Sequence, residues 1–160
     1  MKIHQLVVFF IITLLSTDIF SDEYEAIVLK VIDGDTIYIK SEKGRKKVRL
    51  RYIDAPEIKQ PYGDMARIFL VNELDDKRIT VNSDYKDRYG RDIGDIFVYN
   101  KNEAIYINAK LIKSGNAWVY KTYRKNTYLM NLENIAKDNK LGLWKDKSPI
   151  KPWEYRKKNN

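Results

Sequence analysis

The sequence predicts an α+β domain that is mainly β, with five short strands closing a barrel and three helices. Three observations support this class. Five segments rich in Ile, Val, Thr and Tyr are separated by turn residues. One segment with helical spacing lies between the third and the fourth of them. After the fifth segment, the apolar spacing becomes helical and stays so.

The predicted strands cover residues 25–32, 36–40, 46–53, 78–85 and 93–99. Asp33-Gly34 is a strong tight-turn signal between the first two strands. A polar stretch containing Gly44 separates the second strand from the third. These connections are short enough for consecutive strands to pair as antiparallel neighbours.

The first helix is predicted over residues 62–74, where Ala66, Leu70 and Leu74 recur at helical spacing. We expect Asn108 to cap a second helix over residues 109–114. Asn126 or Thr127 begins a third helix, which runs to about residue 140. The tail after it, about residues 145–160, is expected to be docked through its Trp side chains or partly frayed.

Five strands with a helix after the third are typical of an oligonucleotide-binding-type barrel, the OB-fold. Such barrels protect their strand edges and present a face and loops to nucleic acid. A chain of 160 residues suits one such domain, and we place it at residues 22–160. The chain has no Cys, so an ordinary apolar core must hold it together without disulfides.

Residues 1–21 are predicted to be a secretory signal peptide. A positive start at Lys2 precedes the apolar run 6–15, and residues 16–21 turn polar. The apolar run is short for a membrane span, although an uncleaved anchor is the alternative. We therefore expect a mature protein that starts near Asp22. It would be secreted, or periplasmic or in the cell envelope, with no stable membrane anchor after cleavage.

The formal net charge of +8 predicts a polyanionic partner, either nucleic acid or an anionic membrane. The single His is His4, inside the predicted signal peptide. The mature domain would therefore have neither a His nor a thiol, which excludes Ser-His-Asp and Cys-His mechanisms and a His-ligated zinc site. Any catalysis must use carboxylates, Arg, Lys, Tyr and a metal with oxygen ligands.

The stretch Ile-Asp-Ala-Pro-Glu at residues 53–57 supplies two of the candidate carboxylates. Asp35 and Asp54 each lie at the end of a predicted strand and could hold a hard cation such as Ca²⁺ or Mg²⁺. Glu57 could act as the general base towards a metal-bound water. Each acid taken alone is more typical of an ordinary turn or surface role.

Arg49 and Arg91 are the candidate phosphate-binding residues, because a guanidinium pairs with phosphate oxygens bidentately and keeps its charge. Arg49 and Asp54 have opposite parity on an ideal strand. A bulge or bend near Tyr52 is therefore required to bring them into one site. The alternative for either Arg is a solvated surface charge.

Gly-Leu-Trp at 142–144 and Pro-Trp-Glu near the end are similar to secreted bacterial members of the thermonuclease (staphylococcal nuclease) family, and four motifs in order resemble that family as a whole. They are Val-Ile-Asp-Gly-Asp-Thr at 31–36, Arg49, Ile-Asp-Ala-Pro-Glu at 53–57 and Asp-Arg-Tyr-Gly-Arg at 87–91. The resemblance spans about Tyr24 to Trp144. It implies a five-stranded barrel with three helices and Ca²⁺-dependent hydrolysis of DNA and RNA that leaves 3′-phosphates.

The resemblance also implies roles for single residues. Asp35, Asp54 and the backbone carbonyl of Ala55 would bind Ca²⁺, and Glu57 would orient or deprotonate the attacking water. The remaining implied contacts are to the phosphate, through Arg49 and Arg91, and to the nucleotide, through Arg88, Tyr89 and Tyr123. Tyr120 competes with Tyr123 for the last of these, and either could instead be a core residue.

Two other functions compete with a nuclease that prefers single strands. One is a catalytically silent nucleic-acid-binding module on the same barrel, and the other is a basic protein that binds an anionic lipid or another polyanion. The presence of all five site residues favours the enzyme: Asp35, Arg49, Asp54, Glu57 and Arg91. We expect a monomer without an obligate protein partner. The preference for DNA or RNA, and the strictness for Ca²⁺ over other divalent ions, stay open.

Overall fold

The computed structural model describes residues 22–101 and 103–159, so the predicted signal peptide lies outside the described residues. The strands are β1 (Asp22–Val31), β2 (Thr36–Ser41), β3 (Gly44–Leu50), β4 (Ile53–Asp54), β5 (Arg78–Lys86), β6 (Asp92–Asn100), β7 (Glu103–Tyr106) and β8 (Trp118–Val119). The helices are α1 (Gly63–Leu74), α2 (Ile107–Lys113), α3 (Thr127–Asp138) and α4 (Pro152–Asn159). None of the helices in these two ranges is long and apolar enough to cross a membrane.

Five of the strands form a closed mixed barrel, which confirms the predicted fold class. β1 pairs antiparallel with β2 and β5, while β2 pairs with β3 and β5 with β6. The parallel pairing of β3 with β6, in which Arg49 lies opposite Ile93, closes the ring. β7 extends the sheet beyond β6, and β4 pairs with β8 in a separate two-stranded ribbon.

The barrel core is filled by the inward-pointing side chains, which alternate with outward-pointing ones along each strand. Val28, Ile37, Val48 and Val81 come from four different barrel strands and are fully buried. From α1, Leu70 and its neighbours one turn away join the same core. Burying this face is what stabilises α1, since isolated helices of this length are marginal in water.

The predicted first and third helices agree with α1 and α3. Asn126 precedes α3, and its side chain accepts a hydrogen bond from the Leu129 backbone N–H at 3.1 Å. The prediction that Asn108 caps α2 is wrong, because α2 begins at Ile107 and Tyr106 takes the cap position. An Asn suits a cap by sequence, but buried backbone groups of the barrel here require a polar partner instead.

Asn108 bridges the barrel at the point where β3 ends. Its side-chain NH₂ donates to the carbonyls of Arg51 at 3.0 Å and Gly94 at 3.1 Å. Its Oδ1 accepts from the Ile96 backbone N–H at 3.0 Å. The fully buried amide therefore fixes the backbone of the β3–β4 connection at Arg51.

The chain after α3 folds back over the barrel and ends in α4, a helix outside the three predicted ones. Pro152 occupies the first position of α4, where its missing N–H costs nothing. The rings of Trp118 and Trp144 pack edge to face at 4.2 Å, and Trp153 of α4 lies 6.1 Å from Trp118.

Candidate active site

One open cavity of about 810 Å³ lies where the β1–β2 turn, the β3–β4 connection and the loop after β5 converge. The structure brings every predicted site residue to its walls. These are Asp35, Arg49, Asp54, Ala55, Glu57, Arg88, Tyr89, Arg91 and Tyr123. Residues separated by up to 88 positions in the chain therefore share one candidate site, while their individual roles stay predictions.

The bend required between Arg49 and Asp54 is present. The chain turns at Arg51 and Tyr52, and Tyr52 adopts a left-handed backbone with φ of 69°. The Nη1 of Arg49 donates to the carbonyl of Ile53 at 3.0 Å and to that of Leu50 at 3.1 Å, which spans the turn. The turn reverses the parity of the strand and places Asp54 on the side of Arg49.

Arg49 joins the two acids predicted to bind metal. Its Nη2 lies 2.7 Å from Asp54 Oδ1 and 3.2 Å from Asp35 Oδ2. The Ala55 backbone N–H donates to Asp35 Oδ2 at 2.8 Å. Because both carboxylates reach the same nitrogen, they lie close enough together for one cation to contact both.

A glycine allows the β1–β2 turn to approach this cluster. A Cβ added to Gly34 would lie 2.6 Å from the Cβ of Ala55 and 3.0 Å from the Cβ of Ala66. Any side chain at this position would push Asp35 away from Ala55. Within the same turn, Asp33 Oδ1 accepts from the Asp35 backbone N–H at 3.0 Å.

The buried acids favour a further positive charge. Burial raises the pKa of Asp54 to about 6, and repulsion from Asp35 adds to this, although hydrogen bonds from Arg156 and the charge of Arg49 oppose it. Burial and the charge of Asp35 also raise the pKa of Asp33 to about 6. A cation beside these carboxylates would lower both pKa values.

The donor set fits a hard cation. Among residues 22–101 and 103–159, no group of three or more His, Cys, Asp or Glu side chains is arranged to hold a metal ion. Asp35 and Asp54 supply two carboxylates, and the Ala55 backbone adjoins both. Ca²⁺ accepts such a mixture of carboxylates, backbone carbonyls and water in loose geometry.

Glu57 stands on a tight loop that begins directly after Pro56. The Gln60 side chain accepts from the Glu57 backbone N–H at 3.2 Å, and the Gln60 N–H donates to the Glu57 carbonyl at 2.8 Å. A Cβ on Gly63 would lie 1.8 Å from that carbonyl oxygen, so only Gly fits there. The backbone of the candidate base is thereby fixed, although its side chain remains partly exposed.

Asp87 organises the loop that carries Arg88, Tyr89 and Arg91. Its Oδ1 accepts from the backbone N–H groups of Tyr89 at 2.9 Å and Arg91 at 3.0 Å. Its Oδ2 accepts from Arg91 Nε at 2.8 Å. Burial tends to raise the pKa of Asp87, but these bonds lower it below its usual value. The sequence contains the signal for this role, since an Asp three residues before Gly is typical of such turns.

Aromatic side chains line the wall of the cavity beside these charges. Tyr123 packs edge to face on Tyr52 at 4.8 Å, and its hydroxyl lies 3.4 Å from that of Tyr85. Tyr120 lies 6.4 Å from Tyr123, and both line the cavity. The guanidinium of Arg88 lies 4.8 Å from the ring centre of Tyr89, which is 68% exposed. The geometry leaves both Tyr120 and Tyr123 available to a nucleotide.

Arg156 of α4 is the site residue that sequence reasoning missed. Its Nη2 donates to Asp54 Oδ2 at 2.8 Å, and its Nη1 donates to Glu57 Oε1 at 2.6 Å. In the sequence it reads as part of a basic C-terminal run. Pro at the first helical position and the i, i+3 spacing of Trp153 and Arg156 are the available signals for an ordered helix with one inward face.

A closed OB-type barrel with buried carboxylates and arginines around one cavity is an arrangement that suits an enzyme acting on phosphodiesters. Residues 47–146 match the family model described as "Staphylococcal nuclease homologue". The chain belongs to the staphylococcal nuclease family, as its motifs predicted.

Similar full-length proteins support the same conclusion. The chain is 36% identical over 129 residues to an "Uncharacterized endonuclease" of Escherichia coli O157:H7, covering 81% of this chain and 82% of that protein. It is 33% identical over 140 residues to "Protein ParB" of Escherichia coli, covering 83% and 79%. It is 32% identical over 142 residues to "Micrococcal nuclease" of Shigella flexneri, covering 84% and 82%. The protein is thus a nuclease, a phosphodiester hydrolase acting on nucleic acid, from a family that is metal-dependent in general.

Proposed function

We propose that the protein is a secreted, Ca²⁺-dependent nuclease that hydrolyses DNA and RNA, prefers single strands and leaves 3′-phosphate products. One observation carries the proposal. Arg49 joins Asp35 and Asp54 in the same cavity that Glu57 and Arg91 line. A cation site, a candidate base and two guanidinium groups are the components that phosphodiester hydrolysis requires.

In this proposal Asp35, Asp54 and the Ala55 carbonyl hold the cation. When bound, it supplies positive charge that offsets the negative charge growing on the phosphate. We favour Ca²⁺ because the family resemblance implies it, and because Ca²⁺ accepts carboxylate, carbonyl and water ligands in the loose geometry that loops provide.

The chain's own residues perform the proton and phosphate steps. Glu57 accepts a proton from the attacking water, whose oxygen forms the new bond to phosphorus. The bond from phosphorus to the 5′-oxygen breaks, the 5′-oxygen takes a proton from solvent and leaves as a hydroxyl, and the phosphate stays on the 3′-oxygen. Arg49 and Arg91 bind the phosphate oxygens and stabilise the charge that develops as the 5′-oxygen leaves.

The exposed aromatic wall supports a preference for unpaired nucleotides. Tyr89 is largely exposed beside Arg88, and Tyr123 lines the same cavity. Stacking and backbone contacts of this kind accept any base but require that it be unpaired. The same contacts would serve DNA and RNA.

The predicted signal peptide supports export, to the medium or to the periplasm and cell envelope. The basic charge of +8 suits a freely diffusing enzyme that meets polyanionic substrate. The proposed enzyme acts as a monomer without an obligate protein partner.

The deciding experiment is hydrolysis of a single-stranded DNA with Ca²⁺ or with excess EGTA, followed by analysis of the product termini. The proposal expects cleavage only with Ca²⁺, and 3′-phosphate with 5′-hydroxyl ends. Binding of the strand without any cleavage would favour the catalytically silent module instead. Cleavage at the full rate in EGTA would overturn the proposed cation dependence.

A further inference from the structure

The C-terminal helix α4 places a third guanidinium on the acids of the site. Arg156 Nη2 donates to Asp54 Oδ2 at 2.8 Å, and Arg156 Nη1 lies 3.2 Å from Asp54 Oδ1. The same Nη1 donates to Glu57 Oε1 at 2.6 Å. One side chain therefore contacts both a proposed cation ligand and the proposed base.

The position of Arg156 is built by the packing of its helix. Trp153, three residues earlier, lies 6.1 Å from Trp118 and 6.1 Å from Tyr120. The Tyr155 hydroxyl donates to the carbonyl of Lys59, on the loop that carries Glu57, at 3.0 Å. These contacts hold the part of α4 just before Arg156, whose guanidinium lines the cavity.

A second tie joins the segment before α4 to the same loop. Gln60 Nε2 donates to the carbonyl of Ile150 at 2.5 Å, while the Gln60 Oε1 accepts from the Glu57 backbone. Gln60 is only 5% exposed, so this bridge is sheltered from water. The tail and the Glu57 loop are therefore parts of one packed unit.

We propose that Arg156 is an active-site residue that competes with the divalent cation for Asp54, while it also pairs with Glu57, and so sets the cation affinity of the enzyme. This inference rests on the cation site proposed above. Without the cation, the Arg156 guanidinium neutralises the two carboxylates. Cation binding requires that it withdraw from Asp54.

The occupancy of the Asp54 oxygens supports competition. Oδ1 is contacted by Arg49 Nη2 at 2.7 Å and by Arg156 Nη1, and Oδ2 is contacted by Arg156 Nη2. The Asp54 side chain is 1% exposed, so there is little open solvent from which a cation could approach it. Arg49 contacts only Oδ1 of Asp54, and Arg156 contacts the other carboxylate oxygen, Oδ2.

The charges of the site also favour competition between Arg156 and the cation. Asp35, Asp54 and Glu57 carry three negative charges, and Arg49 and Arg156 supply two positive ones. A divalent cation added while Arg156 stays would place like charges within one small, partly buried site, where screening is weak. Once Arg156 withdraws, the cation takes over its positive charge beside Asp54 without this repulsion.

The test measures Ca²⁺ binding to the full chain by titration calorimetry, which needs neither substrate nor turnover. Arg156→Gln should bind Ca²⁺ at least about tenfold more tightly than the unaltered protein, because a like charge has been removed from the site. Arg156→Lys keeps the charge but loses the two-pronged contact, and its affinity should lie in between. Lys158→Gln removes the same charge from the exposed end of α4 and should leave the affinity unchanged.

Trp153 provides an independent readout on the same helix. The intrinsic tryptophan fluorescence, to which Trp153 contributes together with Trp118 and Trp144, should change when Ca²⁺ is added to the unaltered protein, because Arg156 leaves its anchor on Asp54. The change should be smaller in Arg156→Gln, where that anchor is already missing. Circular dichroism checks that both Arg156 variants are folded, and Arg156→Lys carries the test if Arg156→Gln is not.

Two results would overturn the inference in distinguishable ways. Equal Ca²⁺ affinity in the unaltered protein and both Arg156 variants, with binding lost in Asp54→Asn, would remove competition and leave the cation site standing. Ca²⁺ binding that is absent throughout, or unaffected by Asp54→Asn, would overturn the cation site and the inference with it.

Discussion

The guanidinium of Arg49 lies 2.7 Å from Asp54 Oδ1 across the left-handed turn at Tyr52. Asp54 is almost completely buried, and Arg49 is largely so. Burial tends to lower the pKa of Arg49, but the charges of Asp35 and Asp54 raise it above its usual value. Arg49 therefore keeps its charge, and above about pH 6 its pairing with the ionised Asp54 holds the two sides of the site together.

Arg91 should act in the chemical step more than in binding. Arg91→Ala removes a charge-assisted donor to the transition state, and kcat should fall by at least about 10²-fold. The measurement is single-turnover cleavage of single-stranded DNA with saturating enzyme. Arg45→Ala, at an exposed position in β3, is the matched control and should cleave at the unaltered rate.

Arg91→Lys separates charge from geometry in the same assay. The Nε of Arg91 is held by Asp87 at 2.8 Å, an anchor that Lys cannot reproduce together with a phosphate contact. The Lys variant should therefore recover only part of the rate. Cleavage by Arg91→Ala at the unaltered rate would show that the phosphate-binding residue has been misassigned.

Glu57→Gln should slow cleavage while leaving nucleotide binding largely intact. The amide keeps the size of the side chain but cannot accept the proton of the attacking water, and general-base contributions are typically about 10²–10⁴-fold. Comparing single-turnover rates with the affinity for a 3′,5′-nucleotide inhibitor distinguishes the two effects. A parallel loss of inhibitor affinity would instead assign Glu57 to binding.

The sequence contains the local part of this site but not its long-range part. Opposite strand parity of Arg49 and Asp54 was sufficient to require a bend near Tyr52, and the structure has it there. Asn108 was misread because its true partners, at Arg51 and Gly94, come from other elements. A cap is decided within a few residues, whereas a barrel contact is decided by closure of the whole sheet.

Arg156 shows even more clearly that long-range contacts are not predictable from local sequence patterns. It lies 102 positions from Asp54, so no local period or turn signal connects the two. Its contact depends on how the chain after α3 is routed by the Trp118, Trp144 and Trp153 packing. Such a contact follows from tertiary packing, which a composition of basic residues does not specify.

Cation binding should weaken below about pH 6, where Asp54 becomes protonated. The pKa of Asp54 is raised to about 6, chiefly by burial, so at pH 5 only about a tenth of it is ionised, and a neutral carboxyl is a poor ligand. The Ca²⁺ affinity should therefore fall about fivefold between pH 6, where about half of Asp54 is ionised, and pH 5. Calorimetry at pH 7.5, 6 and 5 checks this. An affinity that is constant across the range would remove Asp54 from the ligands.

The raised pKa of Asp54 also makes the stability of the fold depend on pH, in the direction opposite to its effect on cation binding. At pH values between the ordinary pKa of an Asp and about 6, Asp54 carries a proton in the folded protein but not in the unfolded chain. The contribution of Asp54 to the free energy of unfolding is therefore most favourable at low pH and falls as the pH rises through about 6. Added Ca²⁺ should offset this fall in urea unfolding at pH 7, because it binds the ionised form.

Asp92 should stabilise the folded protein without taking part in the chemistry of the cavity. It is 4% exposed, contacts Lys46 at 2.7 Å and the Tyr24 hydroxyl at 2.6 Å, and also pairs with Lys86. Although burial opposes it, bonds from Lys46, Lys86 and Tyr24 lower the pKa of Asp92 to about 2. Its contribution to the free energy of unfolding is thus complete above about pH 4 and is lost as the pH falls towards 2.

In urea unfolding at pH 7, Asp92→Asn should lower the free energy of unfolding by about 2 kcal/mol. Asp22→Asn, in an exposed pair with Lys43, should lower it by less than about 0.5 kcal/mol. Equal losses in the two variants would show that the Asp92 cluster does not hold β1, β3, β5 and β6 together.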